Sequence, residues 1–409
     1  MINFISNNKD KLIFLFSVFL LFLSFYYNED GTGGGARGDF EVTFGFILAL
    51  QENLLSDPKD WTLVHTPLHF IILSFVTRII SDTDLLRLIF CIFSLSLPLI
   101  FFSSLLVSKV ENVLKSNFLI LSTIILFIPS FRYTSIWANN LITSLFFFIL
   151  SIYFFKKWEE KKKNFIDRNS LFQIIFLVLA TYTRQYFAVF FFYFLFRYFL
   201  IFNFKEFIKI FLICVLSSLP VLYYTYLFPE LLTGQHISLE AINYFLLGNL
   251  SIMSITIFPI IMINIIYRNI ELKKIILPIL VSLITILILS LNFEPESWLG
   301  GGINFMISNK IFNNNIYFYF TSFITLTSFI YIFMEKKENF LMLVILTFMF
   351  FSMQVYQRYY EPMFFIIFFT LIKTNLTNIF LKKFSASMYL LLYFVGYYIL
   401  TVSDFIYKI

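Results

Sequence analysis

Long apolar runs alternate with short polar breaks along nearly the whole chain. The runs fall at 12–27, 86–107, 117–131, 140–155, 170–183, 186–202, 210–228, 246–267, 275–292, 316–334, 340–355, 361–373 and 386–403. About 20 apolar residues in a helix cross the hydrocarbon core, fewer where the bilayer thins or polar ends snorkel. The pattern predicts an all-α fold, a polytopic membrane bundle of about 12–13 transmembrane helices in a single domain over 1–409. The run at 12–27 has no small-residue cleavage site after it and reads as a retained anchor. One long polar stretch, 31–61, breaks the pattern: GTGGGARGDFEVTFGFILALQENLLSDPKDW. It lies in a first loop over 28–85 that is expected to hold interfacial helices.

Lysine-rich loops mark the cytoplasmic side of a membrane chain. The segment 67–80 sets the parity. It is apolar, carries Arg78 and is only about 14 residues long, which suits a helix lying in the interface better than a crossing. On that reading the loops 108–116, 156–168, 203–209, 268–274, 335–338 and 373–383 share one side with Lys9 and Lys11. That side holds 20 of the 30 Lys and Arg, 18 of them Lys; the outer side holds nine, six of them Arg. Lysine inside is the topology signal. Arginine outside has two readings, chance or phosphate contact, because its planar fork binds phosphate oxygens bidentately.

Composition narrows the class. The chain of 409 residues is 59% hydrophobic and 13% charged, with a mean hydropathy of +0.85. Soluble domains are roughly a quarter charged. The net charge of +6 is spread over loops and leaves no nucleic-acid footprint. Cys91 and Cys214 sit in apolar runs, and His65, His69 and His236 lack metal spacing, so neither disulfide nor metal site is expected. P-loop, GxSxG and HExxH motifs are missing. The Phe, Ile, Asn and Lys bias points to an AT-rich genome, and with it to a bacterial inner (plasma) membrane.

The polar residues at the outer breaks are the candidates for chemistry. Asp39 follows a glycine run and precedes an amphipathic segment, and has two readings: a capping carboxylate at a helix start, or a general base at the membrane surface. Glu41 reads as a solvated carboxylate or an acceptor contact. Arg184 and Gln185 interrupt a nearly continuous apolar run, marking either a snorkelling turn or a polar cavity. Arg358 and Glu361 stand three apart before Pro362, spaced for an ion pair if helical; the alternative makes Arg358 a phosphate ligand. Arg87 starts a spanning helix as an anchor or as a phosphate contact. Asn139 and Asn140 lie in the turn with Arg132 and Trp137, able to bind sugar hydroxyls or to cap the next helix. His65 and His69 are four apart, but Pro67 opposes a regular helix through both.

These marks together resemble the GT-C glycosyltransferases. Their order is most similar to the dolichyl-phosphate-glucose α-1,2-glucosyltransferase family: Asp39, Trp61 and Pro67 in the first loop, then Leu86–Arg87, the outer turn from Pro129 to Asn140, Arg184–Gln185, and Arg358–Tyr359 before Pro362. The resemblance implies transfer of a sugar, with inversion, from a polyprenyl-phosphate donor to a hydroxyl of a glycan or lipid-linked acceptor on the extracytoplasmic face. Asp39 is then the catalytic base. Arg184, Arg358 and Arg87 bind the donor phosphate, and Glu41, His65, Asn139, Asn140, Gln185 and Tyr359 contact substrate. Many GT-C enzymes carry a second acidic residue where this chain has Asn139 and Asn140, so a two-carboxylate metal site is not expected, nor any cofactor. Besides donor and acceptor, membrane lipids are the expected partners. Two other classes stay open. A transporter or flippase of lipid-linked saccharides would distribute polar groups through the helices, often with internal symmetry. An O-antigen ligase or polymerase type enzyme would carry its largest outer loop late in the chain.

Overall fold

The computed structural model describes residues 8–32, 35–52, 65–107, 114–161, 163–227, 242–267, 270–291, 293, 302–350 and 355–402. Trp61, His236 and most of the loops at 53–64, 108–113, 228–241 and 294–301 lie outside the described residues. Every regular element among the described residues is helical. In chain order the α-helices are α1 (Lys9–Tyr26), α2 (Gly35–Glu52), α3 (Leu68–Thr77), α4 (Thr83–Ser94), α5 (Ser96–Val107), α6 (Lys115–Ile124), α7 (Pro129–Ile136), α8 (Asn140–Lys161), α9 (Arg168–Thr183) and α10 (Phe190–Phe199). They continue as α11 (Phe204–Leu227), α12 (Ile242–Ile266), α13 (Leu272–Ser290), α14 (Gly302–Ile307), α15 (Ile316–Glu335), α16 (Phe340–Phe348), α17 (Gln357–Tyr360), α18 (Met363–Thr370), α19 (Asn378–Lys382) and α20 (Phe384–Val402).

Seven stretches among the described residues have the length and apolarity of a bilayer crossing: Thr83–Val107, Asn140–Lys161, Phe204–Tyr223, Ile242–Ile266, Lys273–Ser290, Ile316–Glu335 and Phe384–Val402. Two bent pairs raise the number to nine: Lys115–Phe127 with Pro129–Ile136, bent by 65°, and Gln357–Thr370 with Asn375–Lys382, bent by 100°. The run lengths predict 12–13 because they do not reveal breaks. The apolar runs at 170–202 become α9, a 3-10 turn over Gln185–Val189 and the ten-residue α10. The run at 340–355 yields only the nine residues of α16. In α1 the 18 residues include Lys9, Asp10 and Lys11. Ile128, ahead of Pro129, is extended at ψ 119°, the conformation that a following proline imposes. Helix α3, read from sequence as interfacial, has ten residues and a length of about 15 Å, half the hydrocarbon thickness.

The chain divides into two compact units: unit 1 comprises Met1–Ile13, Val110–Ser130 and His236–Ile409, and unit 2 comprises Phe14–Lys109 and Phe131–Gln235. In unit 2, α8 packs between α5 and α9, and α3 lies on α2, α8 and α9. Phe148 of α8 fills the joint with rings 4.8 Å from Phe187 and 4.6 Å from Phe190. A buried polar chain crosses the same helices: the Tyr198 hydroxyl donates to Gln173 at 2.9 Å, and Gln173 donates to Ser151 at 3.0 Å. Such pairing removes the cost of burying the three groups.

In unit 1 the buried α12 packs on α15, α13 packs on α15, and α20 packs on α6. Its broken helices leave main-chain carbonyls inside the bundle, and buried asparagines take them up. Asn249 donates to Thr347 O and Phe350 O at 2.9 and 3.1 Å. Asn264 donates to Leu376 O at 2.8 Å, and Asn117 to Leu381 O at 3.0 Å. A helix end at membrane depth has no water to satisfy it, so a side-chain amide must.

Candidate functional site

The start of α2 is capped from outside the helix. Asp30 accepts from the backbone N–H of Thr32 and of Arg37, both at 2.9 Å, and the Thr32 hydroxyl accepts from Ala36 N–H at 2.7 Å. Two of these bonds satisfy orphan donors of the first turn, those of Ala36 and Arg37. The sequence reading placed the glycine run ahead of the helix and offered Asp39 as a possible cap. Helix α2 instead begins at Gly35, and the capping oxygens are those of Asp30 and Thr32. Asp39 stands one turn further in, half-buried. Glu41 forms an exposed pair with Arg37 at 2.9 Å, of the kind that contributes little to stability.

Phe40, next to Asp39, turns inward to a cationic cluster. Its ring lies 6.1 Å from that of Trp137 and 5.9 Å from the Arg87 guanidinium. Arg87 is 5% exposed. It lies 3.8 Å over the Trp137 ring and donates to Ile136 O at 3.1 Å, Asp84 at 2.9 Å and Asn28 at 2.8 Å. These contacts make Arg87 a clamp between α4 and the end of α7. Arg132, one of the six outer arginines of the sequence, is fully buried and pairs with Glu29 at 3.3 Å. It also donates to Leu20 O at 3.0 Å and to the Ser24 hydroxyl. Trp137 Nε1 donates to Glu29 O at 3.0 Å. The partners are 103 and 108 positions apart, beyond the reach of any local sequence signal.

The turn that follows α7 carries the next candidates. Ala138 sits at φ +44°, the left-handed region, and its carbonyl accepts from His69 Nε2 at 3.1 Å. A carbonyl only accepts, so Nε2 bears the hydrogen and Nδ1 receives the Thr143 hydroxyl at 2.9 Å. Burial, aided by the charge of Arg184, lowers the His69 pKa to about 3 against the opposing bond to Ala138, so the ring is neutral. His65 precedes Pro67 and helix α3, so it does not share a helical face with His69. Asn139 caps α8 by accepting from Leu141 N–H at 3.0 Å. Asn140 accepts from Arg184 Nε at 2.8 Å, and the Tyr186 hydroxyl accepts from the same guanidinium at 3.2 Å. Arg184 itself is 1% exposed and extended in backbone, between α9 and the 3-10 turn that opens with Gln185. Thr66 ties the approach to α3 onto α9 through Thr181 O at 2.9 Å. Residues 136–140 thus gather Phe40, His69, Arg87 and Arg184 within unit 2.

Arg358 and Tyr359 belong to unit 1. The sequence spacing allowed an Arg358–Glu361 pair along a helix, but α17 ends after four residues with Glu361 extended at ψ 137°. Arg358 lies 5.4 Å over the Tyr356 ring, and Tyr359 stacks on Phe350 at 4.9 Å. Glu361 turns inward instead, 4% exposed, and accepts from Gln357 at 2.7 Å, Ser130 at 3.0 Å and Tyr397 at 3.1 Å. Sequence spacing offered Glu361 only as a partner of Arg358 and missed its burial, of which a carboxylate directly ahead of a proline and a long apolar run was the visible sign.

Among the described residues no group of three or more His, Cys, Asp or Glu is placed to hold a metal ion. No protein-family model, curated protein or solved structure matches the chain.

Proposed function

We propose that the protein is a GT-C type membrane glycosyltransferase that moves a sugar from a polyprenyl-phosphate donor to an acceptor hydroxyl at the extracytoplasmic face, with inversion. The observation that supports this reading is the buried Arg184 guanidinium, oriented by its bonds to Asn140 and the Tyr186 hydroxyl, beside a histidine kept uncharged. Such an arrangement fixes a positive charge in a water-poor setting, where it stabilises developing negative charge most. Asp39 is assigned as the base, a role kept apart from the capping of its helix, which Asp30 and Thr32 perform. In the proposed step the acceptor oxygen attacks the anomeric carbon and gives its proton to Asp39. The bond from that carbon to the phosphate oxygen breaks, and the lipid phosphate leaves with the electron pair. Arg184 faces that charge.

Arg87 and Asn140 take supporting roles, since their polar atoms are engaged with Asp84, Asn28 and Ile136, and with Arg184. Purified protein in detergent, given a labelled polyprenyl-phosphate sugar and a set of lipid-linked and glycan acceptors, tests the reading directly. Label should move to an acceptor in a single compartment. Movement of intact donor across a vesicle bilayer without transfer would assign the chain to the flippase class instead.

A further inference from the structure

The buried acid of unit 1 joins four parts of the chain that are far apart in sequence. Both carboxylate oxygens of Glu361 are engaged: one accepts from Ser130 at 3.0 Å, the other from Gln357 at 2.7 Å and Tyr397 at 3.1 Å. Gln357 extends the chain of bonds, since its Oε1 accepts from the backbone N–H of Ile303 at 3.2 Å and so caps the first turn of α14. The approach is close enough to dictate a residue. A Cβ on Gly302 would lie 2.1 Å from Gln357 Oε1, and Gly302 holds φ +65°. The amide of Gln357 therefore has one orientation, with its NH2 toward Glu361 and its oxygen toward α14.

All three donors to Glu361 are neutral. Among the described residues the titratable groups facing it from the helices packed around it are Tyr393 and Tyr397 of α20. The Tyr360 hydroxyl points to Leu346 O at 2.7 Å, and the Arg358 guanidinium lies over Tyr356. The cluster can hold the acid in either form. Gln357 only donates here, but the Ser130 hydroxyl can turn from donor to acceptor and take a carboxyl O–H. The two forms differ in strength, since bonds to an ionised carboxylate are about twice as strong as those to a neutral acid.

We propose that Glu361 is a proton-binding positioning residue: ionised, it locks α17 to α14 and α20, and on taking up a proton it loosens the turn that carries Arg358 and Tyr359. The consequence for donor binding rests on the transferase reading, whereas the lock itself does not. Glu361→Gln reproduces the protonated form, because the amide oxygen accepts from Gln357 and Tyr397 while its NH2 donates to Ser130.

The test is amide hydrogen exchange of the full-length protein in detergent, followed at Ile303 and over 357–361 from the acid to the alkaline limit of the folded protein and normalised to intrinsic rates. Wild type should lose protection as pH falls. Glu361→Gln should exchange about five- to tenfold faster than wild type at the alkaline end, with no pH transition. Tyr397→Phe, which keeps the ring and removes one donor, should displace the transition and answers the question if Glu361→Gln does not fold. Profiles of either folded variant that superimpose on wild type overturn the lock. If transfer is also observed, Glu361→Gln should raise the donor KM about tenfold with kcat changed less. An unaltered KM beside altered exchange overturns the link to Arg358.

Discussion

Arg184 Nε donates to Asn140 Oδ1 at 2.8 Å, across 44 positions of chain, so the start of α8 orients the guanidinium that ends α9. Removing the acceptor takes one hydrogen bond from a buried charged group. Asn140→Leu should destabilise the protein by about 1–3 kcal/mol in detergent thermal melts and lower transfer at least tenfold. Arg184→Lys, which keeps the charge but loses the fork, should be nearly as damaging to transfer as Arg184→Ala. A fully active lysine variant would show that orientation of this cation does not matter.

Asp39→Asn should reduce transfer by about 10²- to 10⁴-fold, the usual contribution of a general base, with donor binding retained. Helix α2 should keep its start, because Asp30 and Thr32 supply its cap. Wild-type turnover in this variant would remove Asp39 from the chemistry. Asp30→Ala is the contrasting case, costing about 1 kcal/mol through loss of the cap.

His69 makes stability depend on acid. Its folded pKa of about 3 lies below the ordinary 6.5, so the unfolded chain takes up a proton first as pH falls. The contribution is intact above pH 6.5 and is lost progressively down to about 3, at up to about 1.4 kcal/mol per pH unit. Chemical denaturation across that range, compared with His69→Gln, checks this. The glutamine variant should be less stable at neutral pH and show a flatter acid limb; parallel limbs would mean the ring is not buried neutral.

Arg87 acts through stacking as much as through charge. Trp137→Leu removes the ring 3.8 Å from its guanidinium and the donor to Glu29 O. The expected loss is about 2–4 kcal/mol, read as a lower Tm, with Arg87→Lys losing about half as much. Equal stability of Arg87→Lys and wild type would argue that the planar group is not needed there.

In unit 1, Asn264→Leu should cost about 1–3 kcal/mol by leaving Leu376 O unsatisfied, whereas Ser290→Ala, which loses only a bond to Leu287 O of its own helix, should be nearly neutral. A neutral Asn264→Leu would mean that water reaches that helix end.

Hydrophobic periodicity and charge by themselves determined that this chain is helical and apolar enough for a bilayer. They also identified α3 as too short to cross and marked the breaks where polar residues collect. Those properties are set by neighbours along the chain: a run of apolar side chains, a proline, a cluster of lysines. Asp39, Arg184 and the residues from Arg132 to Asn140 were visible for the same reason, as polar groups in places where polarity is expensive. What the sequence left open is which of them face each other. Arg132 with Glu29, Arg87 with Trp137, Arg184 with Asn140 and Glu361 with Ser130 lie 103, 50, 44 and 231 positions apart. Only the packed helices select one partner for each charge, because a buried ion or amide must be satisfied by whatever the tertiary structure places within about 3 Å. The same rule turned Arg87 into a clamp and drew Glu361 away from Arg358, outcomes fixed by distance in space that spacing along the chain does not encode.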